Sequence, residues 1–318
     1  MTDRRKILGL AVWLLLAGCG RVGDHQAPDL DGRQVKVVAT TGQVADLVSA
    51  VGGQRVLVQA LMGPGIDPHL YKASARDVER LRQADIIFYN GLHLEAKMGE
   101  VIEMLGRTRP VLAVAEAVDP ALLLSPEGLG QAHDPHIWFD VQLWRRTVPA
   151  VAEHLAALDP GHADGYRRRA GAYAARLDSL HAYATESFAS IPAGQRVLIT
   201  AHDAFAYLGR AYGLQVRGLQ CISTASEAGT RDVQDLAAFI TARRIPALFV
   251  ETSVSPRAVA AVREAVRARG FEVTVGGEVF SDALGDPGTP AGTYLGMVGH
   301  NVDTITSALR GEGKHEQH

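Results

Sequence analysis

The chain has 318 residues, 47% of them hydrophobic and 21% charged, with a formal net charge of -3. At ~150 residues per domain this length suggests about two domains, and the composition excludes a disordered chain, a multi-span membrane protein and a strongly basic nucleic-acid binder. Because there are only two cysteines, a disulfide scaffold and a cysteine-rich zinc module are also excluded, so any metal site must use His, Asp and Glu.

The N-terminus has the pattern of a bacterial export signal. A basic segment at residues 4–6 precedes an apolar run at residues 7–17, which is too short for a stable transmembrane helix. The run ends in LAGC, which resembles a lipobox, so we expect a lipoprotein signal peptide at residues 1–18 and lipidation of Cys19. A plain signal peptide with an incidental cysteine is the alternative, and the Sec and twin-arginine routes both stay open. Residues 19–34 are polar and predict a flexible tether.

Strand and helix patterns alternate after the tether. β-Branched and apolar runs predict strands, and apolar residues at helical spacing predict helices. The predicted strands are 35–40, 55–61, 85–89 and 111–114, and the predicted helices are 43–51, one that begins after the N-cap Ser74, and 93–105. This alternation is typical of a mostly parallel sheet covered by helices, so residues 35–149 are interpreted as an N-terminal α/β lobe.

A proline-free segment at residues 161–190 predicts one long helix within a linking region at 150–192. At ~1.5 Å per residue this helix is roughly 40 Å long, which suits a backbone that runs along two lobes. Its predicted apolar stripe consists of Tyr166, Ala170, Tyr173, Leu177, Leu180 and Tyr183.

The remaining residues repeat the strand and helix alternation. Strands are predicted at 196–200, 247–250 and 271–275, and helices at 203–212, 233–243, 256–269 and 293–309. We interpret residues 193–309 as a C-terminal α/β lobe and residues 310–318 as a disordered tail. The predicted fold class is therefore α/β, with two doubly wound lobes joined by a long rigid backbone helix. A cleft between such lobes brings the carboxyl ends of their strands face to face, where ligands bind.

Three histidines and one aspartate stand in loops beside these elements. His69 and His136 each end an Asp-Pro-His tripeptide. His202 directly follows one predicted strand, and Asp282 follows another. Four such ligands suit tetrahedral Zn²⁺, and the carboxylate also suits Mn²⁺. Their spacing alone does not establish a metal site, because a lone histidine is more often an ordinary polar side chain.

The two tripeptides also contain candidate outer partners of the imidazoles. Proline stiffens each turn, and the preceding aspartates, Asp67 and Asp134, could accept the second ring N–H or cap the loop. Cys221 has no partner cysteine once Cys19 is lipidated, so we expect it to be a small buried apolar side chain.

Eight longer stretches occur in order between residues 35 and 309: GPGIDPHLYKAS, DIIFYNGLHLEAKM, DPHIWFDVQLW, LITAHDAFAYLGRAYGL, ISTASEAG, FVETSVSP, FSDALG and GTYLGMVGHNVDTI. They resemble the zinc/manganese solute-binding lipoproteins of ABC importers, the adhesin-like metal receptors of cluster A-I. The resemblance implies two α/β lobes joined by a rigid helix, with one ion held between them. Its ligands would be His69 and His136 from the first lobe and His202 and Asp282 from the second.

The resemblance also implies a function and partners. The chain would be an extracytoplasmic binding protein, not an enzyme, that captures Zn²⁺ or Mn²⁺ as transported ligand and delivers it to an ABC permease with its ATPase. It would be a monomer, periplasmic or at the cell surface, held to the membrane through the lipid on Cys19, with no nucleic-acid partner. Glu251 matches a family position near the cleft and is interpreted as an outer-sphere acid rather than a ligand.

Departures from the family pattern bear on the choice of metal. Many zinc receptors have a long His-rich loop before the second histidine, which residues 118–133 lack. Manganese-selective members often have glutamate where this chain has His202, so zinc is favoured. An exported zinc-dependent hydrolase is one alternative, but no HExxH or G-x-S-x-G motif is present. A surface adhesin is another, but no exposed repeat or aromatic patch in the sequence supports it.

Overall fold

The structure, a computed structural model, describes Leu30, residues 32–126 and residues 132–311. The predicted signal peptide, Cys19, most of the tether and nearly all of the tail lie outside the described residues. Within the described ranges, none of the helices combines the length and the apolar character needed to cross a bilayer.

The first lobe is a four-stranded parallel sheet with helices packed against it. Its elements are β1 (Val35–Ala39), α1 (Gly42–Gly52), β2 (Val56–Ala60), α2 (Ala75–Gln83), β3 (Ile86–Tyr89), α3 (Gly99–Gly106) and β4 (Val111–Ala113). The strand order is β2-β1-β3-β4, with Val37 opposite Val58 on one side and Ile86 on the other. Ser74 caps α2 as predicted, in a reciprocal capping box with Asp77.

Two consecutive helices, α4 (Val141–Leu158) and α5 (Ala163–Ala189), connect the lobes. α5 has 27 residues and lies within the segment predicted to be a long helix. The predicted stripe is wrong at Tyr183, which is 46% exposed. In a helix with 3.6 residues per turn, residues seven and eleven positions after Leu177 lie on the same face as Leu177. These residues are Ala184 and Phe188, and all three are buried.

The second lobe has two pairs of parallel strands. Its elements are β5 (Val197–His202), α6 (Ala206–Tyr212), β6 (Gln215–Gln220), α7 (Thr230–Arg243), β7 (Ala247–Glu251), α8 (Arg257–Arg267), β8 (Thr274–Val279) and α9 (Tyr294–Arg310). β5 pairs with β6, β7 pairs with β8, and β5 lies beside β7. The four strands therefore follow the order β6-β5-β7-β8, which confirms the predicted second α/β lobe.

Two strands of this lobe differ from the sequence prediction for a physical reason. β8 begins three residues after its predicted start, and β6 was not predicted. Both contain glycine, which weakens the strand pattern, and in both the glycine allows a close approach. A Cβ on Gly276 would lie 2.8 Å from the Phe249 ring, and one on Gly218 would lie 2.5 Å from the carbonyl carbon of His202.

The long helix α5 packs against α1 of the first lobe, α9 and the intervening helix α4. One apolar core runs through these contacts and contains residues of both lobes. Trp144 of α4 stacks on Tyr294 of α9, with 5.5 Å between the ring centroids. The lobes are therefore joined through a packed core, and the carboxyl ends of their strands face a common cleft.

Candidate metal centre

The four predicted ligands come from four separate chain segments at the carboxyl ends of parallel strands. His69 lies in the loop between β2 and α2, and His136 lies in the segment that leads to α4. His202 is the last residue of β5, whose six residues are all buried. Asp282 follows β8 by three residues. The sheet architecture thus brings side chains that are far apart in sequence to one edge of the cleft.

Their donor atoms form a compact buried group. The Nε2 atoms of His69 and His136 are 3.2 Å apart. The Asp282 carboxylate lies 3.4 Å from Nε2 of His136, 3.3 Å from Nε2 of His202 and 3.8 Å from Nε2 of His69. All four ligand atoms lie within 4.8 Å of one another. His69 is 5% exposed, Asp282 is 2% exposed, and the other two imidazoles are fully buried.

The distances between these donor atoms suit a small cation in tetrahedral coordination. With metal–ligand bonds of about 2.0–2.1 Å, the edge of a tetrahedral Zn²⁺ site is about 3.3–3.4 Å long. Nε2 of His202 and both carboxylate oxygens of Asp282 are buried and have no hydrogen-bond partner among the described residues. Leaving such atoms unpaired is costly, and a cation at the centre of the group satisfies them together.

Asp134 orients the imidazole of His136. Its Oδ1 accepts hydrogen bonds from the backbone N–H of His136 at 2.9 Å and from its Nδ1 at 2.7 Å. In the neutral ring this bond holds the proton on Nδ1, so Nε2 is the nitrogen that can bind a cation. Burial disfavours the charged ring, but the carboxylates of Asp134 and Asp282 outweigh burial and raise the pKa of His136 to about 9.

Glu251 has the corresponding position beside His202. Its Oε1 accepts the backbone N–H of His202 at 2.9 Å, and its Oε2 lies 2.6 Å from Nδ1 of the ring. Burial opposes ionisation of this imidazole, yet the nearby Glu251 and Asp282 carboxylates raise the pKa of His202 well above its usual value. The same imidazoles hold the pKa of Asp282 well below its usual range in spite of burial. Glu251 thus lies behind the cluster, where it contacts His202 and not the centre.

Asp67 acts differently from Asp134, although both begin an Asp-Pro-His tripeptide. Its Oδ1 accepts the backbone N–H of His69 at 2.8 Å, and its Oδ2 accepts the hydroxyl hydrogen of Thr224 at 2.5 Å. Of the two roles that the sequence left open, the structure therefore shows loop capping for Asp67. Burial, the main cause, lowers the pKa of His69 to about 3.

Three residues around the site were not recognised as part of it from the sequence. Trp138 donates its indole N–H to the carbonyl oxygen of Ser281 at 3.1 Å, so it joins the two lobes. Tyr207 and Thr224 also bond across the cleft. A tyrosine or threonine in a chain segment carries no local signal for such a contact, because its partner is far away in sequence.

The expectation for Cys221 is wrong. The side chain is exposed, because β6 ends at Gln220 and Cys221 begins the loop that follows. It is not one of the clustered ligands.

Comparison with known proteins adds the following matches. Residues 37–308 match the family described as zinc-uptake complex component A, periplasmic. The zinc-binding protein TroA of Treponema pallidum is 53% identical over 279 residues, which are 88% of this chain and 90% of that protein. The manganese-binding lipoprotein MntA of Bacillus subtilis is 46% identical over 295 residues, 93% of this chain and 95% of that protein. The solved structure of the periplasmic zinc-binding TroA matches with a TM-score of 0.85 and covers 87% of this chain and 99% of its own.

Proposed function

Because the chain belongs to the family of periplasmic zinc-uptake component A proteins, we propose that it captures a divalent transition metal ion and delivers it to an ABC permease and its ATPase. The proposed ligands are His69 and His136 from the first lobe and His202 and Asp282 from the second. Zn²⁺ is the favoured ion and Mn²⁺ the next. The observation that carries the proposal is the group of four buried ligand atoms within 4.8 Å of one another.

The chemistry of these donors supports a preference for zinc. Three imidazoles and one carboxylate suit the borderline-soft Zn²⁺, and three of the donor distances, 3.2, 3.3 and 3.4 Å, are close to a tetrahedral edge. Mn²⁺ prefers more oxygen ligands but competes for the same donors. Among the relatives, TroA is named for zinc and MntA for manganese, which supports both ions as candidates.

Binding follows from the way in which the ligands are held. Asp134 and Glu251 lie beside Nδ1 of His136 and His202, so each neutral ring keeps its proton on Nδ1 and offers Nε2 to the cation. Because the raised pKa values favour a second proton on each ring in the absence of metal, the cation displaces that proton when it binds. Because each lobe supplies two ligands, the ion ties the lobes together, and the α4–α5 connection restricts the movement to loops or a small tilt. Release would follow when the permease separates the second-lobe ligands from the first-lobe pair.

Four converging protein donors favour capture over catalysis. A catalytic zinc site keeps one position open for water and places a general base beside it. Here Asp282 takes the fourth position, and the adjacent acids Asp134 and Glu251 are engaged with imidazole nitrogens.

Localisation and assembly form a second part of the proposal. The chain is placed outside the cytoplasm, anchored through a lipid on Cys19, with residues 20–34 as the tether and the metal-binding lobes acting as a monomer. Relatives named as lipoproteins support the anchor. Labelling cells with a radioactive fatty acid tests it, because Cys19→Ala should abolish incorporation of the label while Cys221→Ala should leave it unchanged.

Metal analysis of the protein purified without added metal tests the function. We expect one ion per chain, and we expect Zn²⁺ to displace Mn²⁺ in competition on the stripped protein, with the melting temperature as the readout. His202→Ala should weaken binding strongly, whereas His154→Ala, an exposed histidine on α4, should leave it unchanged. Absence of stoichiometric metal, or unchanged affinity and ion choice in His202→Ala, would contradict the proposal.

A further inference from the structure

A hydrogen bond joins the two lobes at the His69 side of the cleft. The hydroxyl of Thr224, in the loop between β6 and α7, donates to Oδ2 of Asp67 in the first lobe at 2.5 Å. The other oxygen of the same carboxylate, Oδ1, accepts the backbone N–H of His69 at 2.8 Å. One carboxylate thus connects the backbone of a proposed ligand to the opposite lobe.

This side of the cleft is less enclosed than the opposite side. The bond from Tyr207 to the Asp134 carbonyl and the bond from Trp138 to the Ser281 carbonyl are both buried. The Asp67–Thr224 bond is part-buried, and residues 63–66 of the His69 loop are exposed. The His69 loop can therefore lift from the second lobe while the deeper bonds remain in place.

His69 depends on its backbone for its position. The imidazoles of His136 and His202 each have a carboxylate beside Nδ1 that holds the ring. For His69, the carboxylate on the same turn contacts the backbone N–H instead. His69 is also the most exposed of the four proposed ligands, at 5%. The turn at residues 67–69 therefore positions the His69 ring, and the hydrogen bond from Thr224 to Asp67 fixes that turn against the second lobe.

We propose that the Asp67–Thr224 hydrogen bond is a latch that keeps the His69 loop closed over the bound ion and sets the rate at which the ion leaves. Both are positioning residues, since neither is among the clustered ligand atoms. The latch rests on the proposed function. A hydrogen bond to a charged group that is lost during opening changes a rate constant by about tenfold or more. The effect falls on release rather than capture, because most affinity differences among variants of one site lie in the dissociation rate.

Release of Zn²⁺ into an excess of chelator, followed by stopped-flow, tests the latch. Thr224→Val removes the hydroxyl and should speed release at least about tenfold, whereas Thr224→Ser keeps it and should restore the native rate. Thr224→Ala, which removes the hydroxyl without adding a methyl beside Asp67, should release as fast as Thr224→Val. Ser226→Ala changes an exposed hydroxyl in the same loop and should release at the native rate.

A spectroscopic readout separates a latch from general damage to the site. The visible spectrum of bound Co²⁺ reports the ligand set, so Thr224→Ala should show the native spectrum together with faster release. A native release rate in both Thr224→Val and Thr224→Ala, or rapid release in Thr224→Ser, would overturn the latch alone. A native chain that binds no Zn²⁺ would overturn the proposed function and the latch with it.

Discussion

Tyr207 donates its hydroxyl hydrogen to the backbone carbonyl oxygen of Asp134 at 2.9 Å. The same hydroxyl accepts the backbone N–H of Leu124 at 3.0 Å. A fully buried side chain on α6 of the second lobe therefore supports the first-lobe turn that carries His136. The position of a proposed ligand in one lobe thus depends on a hydroxyl group of the other.

Replacement of that hydroxyl should destabilise the protein. Tyr207→Phe leaves the N–H of Leu124 and the carbonyl of Asp134 without this partner, which costs about 1–3 kcal/mol for a buried group. Urea unfolding of the metal-free protein measures the loss. Tyr89→Phe is the matched control, because Tyr89 is half-buried and its hydroxyl makes no hydrogen bond among the described residues, so its change should stay within about 0.5 kcal/mol. Equal effects of the two substitutions would contradict the interpretation of Tyr207.

Glu251→Gln should weaken metal binding through the tautomer of His202. The amide can still accept the backbone N–H of His202, but its NH₂ group then lies beside Nδ1. A donor at that point favours the ring form with the proton on Nε2, the atom proposed to bind the ion. Loss of such an outer partner typically reduces metal affinity about 10- to 100-fold. Competition with a zinc chelator measures the change, and Glu227→Gln, at an exposed position, should have native affinity.

Gly218→Ala should displace the end of β5. A Cβ at this position would lie 2.4 Å from the backbone nitrogen of Asp203 and 2.5 Å from the carbonyl carbon of His202. Because both neighbours are backbone atoms, the strand must move, and we expect a loss of about 1–3 kcal/mol in unfolding free energy together with weaker Zn²⁺ binding.

Gly171→Ala on α5 provides the control for that substitution. Outside the backbone of its own helix, a Cβ there meets no atom of the described residues within 4 Å, and alanine in a helix interior is favoured over glycine by about 1 kcal/mol. Calorimetric melting of both variants should show a lower melting temperature for Gly218→Ala and an unchanged or higher one for Gly171→Ala. A native melting temperature and native Zn²⁺ affinity in Gly218→Ala would contradict the expected displacement of β5.

Asp159 should contribute stability that disappears in acid. Burial favours its neutral form, but hydrogen bonds from His162, Tyr166 and Arg55 outweigh burial and lower the pKa of this carboxyl below its usual 3.8. A lowered pKa in the folded state stabilises the protein above the unfolded-state value of 3.8, and this stabilisation is lost as the pH falls through the folded-state pKa.

Urea unfolding of the metal-free protein across a pH series tests whether this stabilisation is lost in acid. Asp159→Asn should be less stable than the native chain at pH 6, and the difference should shrink progressively below about pH 4. Asp235→Asn, whose side chain is 74% exposed, should differ little from the native chain at any pH. A difference for Asp159→Asn that stays constant in acid would contradict the assigned cause.

Several local features could be predicted because short-range interactions specify them. Ser74 and Asp77 are three residues apart and form the cap of α2 through their own side chains and backbone. The long helix was predictable because residues 163–189 contain no proline and repeat apolar residues at helical spacing. The two Asp-Pro-His tripeptides could be singled out for the same reason, since proline and aspartate define each turn locally.

Other features could not be predicted because glycine or proline masks the pattern. β6 and β8 contain glycines whose missing side chains let the backbone of His202 and the Phe249 ring approach. α4 was not predicted, and it contains Pro149, which normally signals the end of a helix. In each case tertiary packing outweighs the local preference.

The residue types of the proposed metal centre, the long helix and the alternation of strands and helices were all determined by the amino-acid sequence itself. Only the tertiary structure decided that Asp134 holds an imidazole while Asp67, in an identical tripeptide, holds a threonine of the other lobe. In both tripeptides Oδ1 of the aspartate accepts the backbone N–H of the histidine, so the difference in role arises from what lies opposite each carboxylate. For Asp67 the neighbour is Thr224, which is more than a hundred residues away in sequence and is brought close by the packing of the two lobes. For Asp134 the neighbour is the ring of His136.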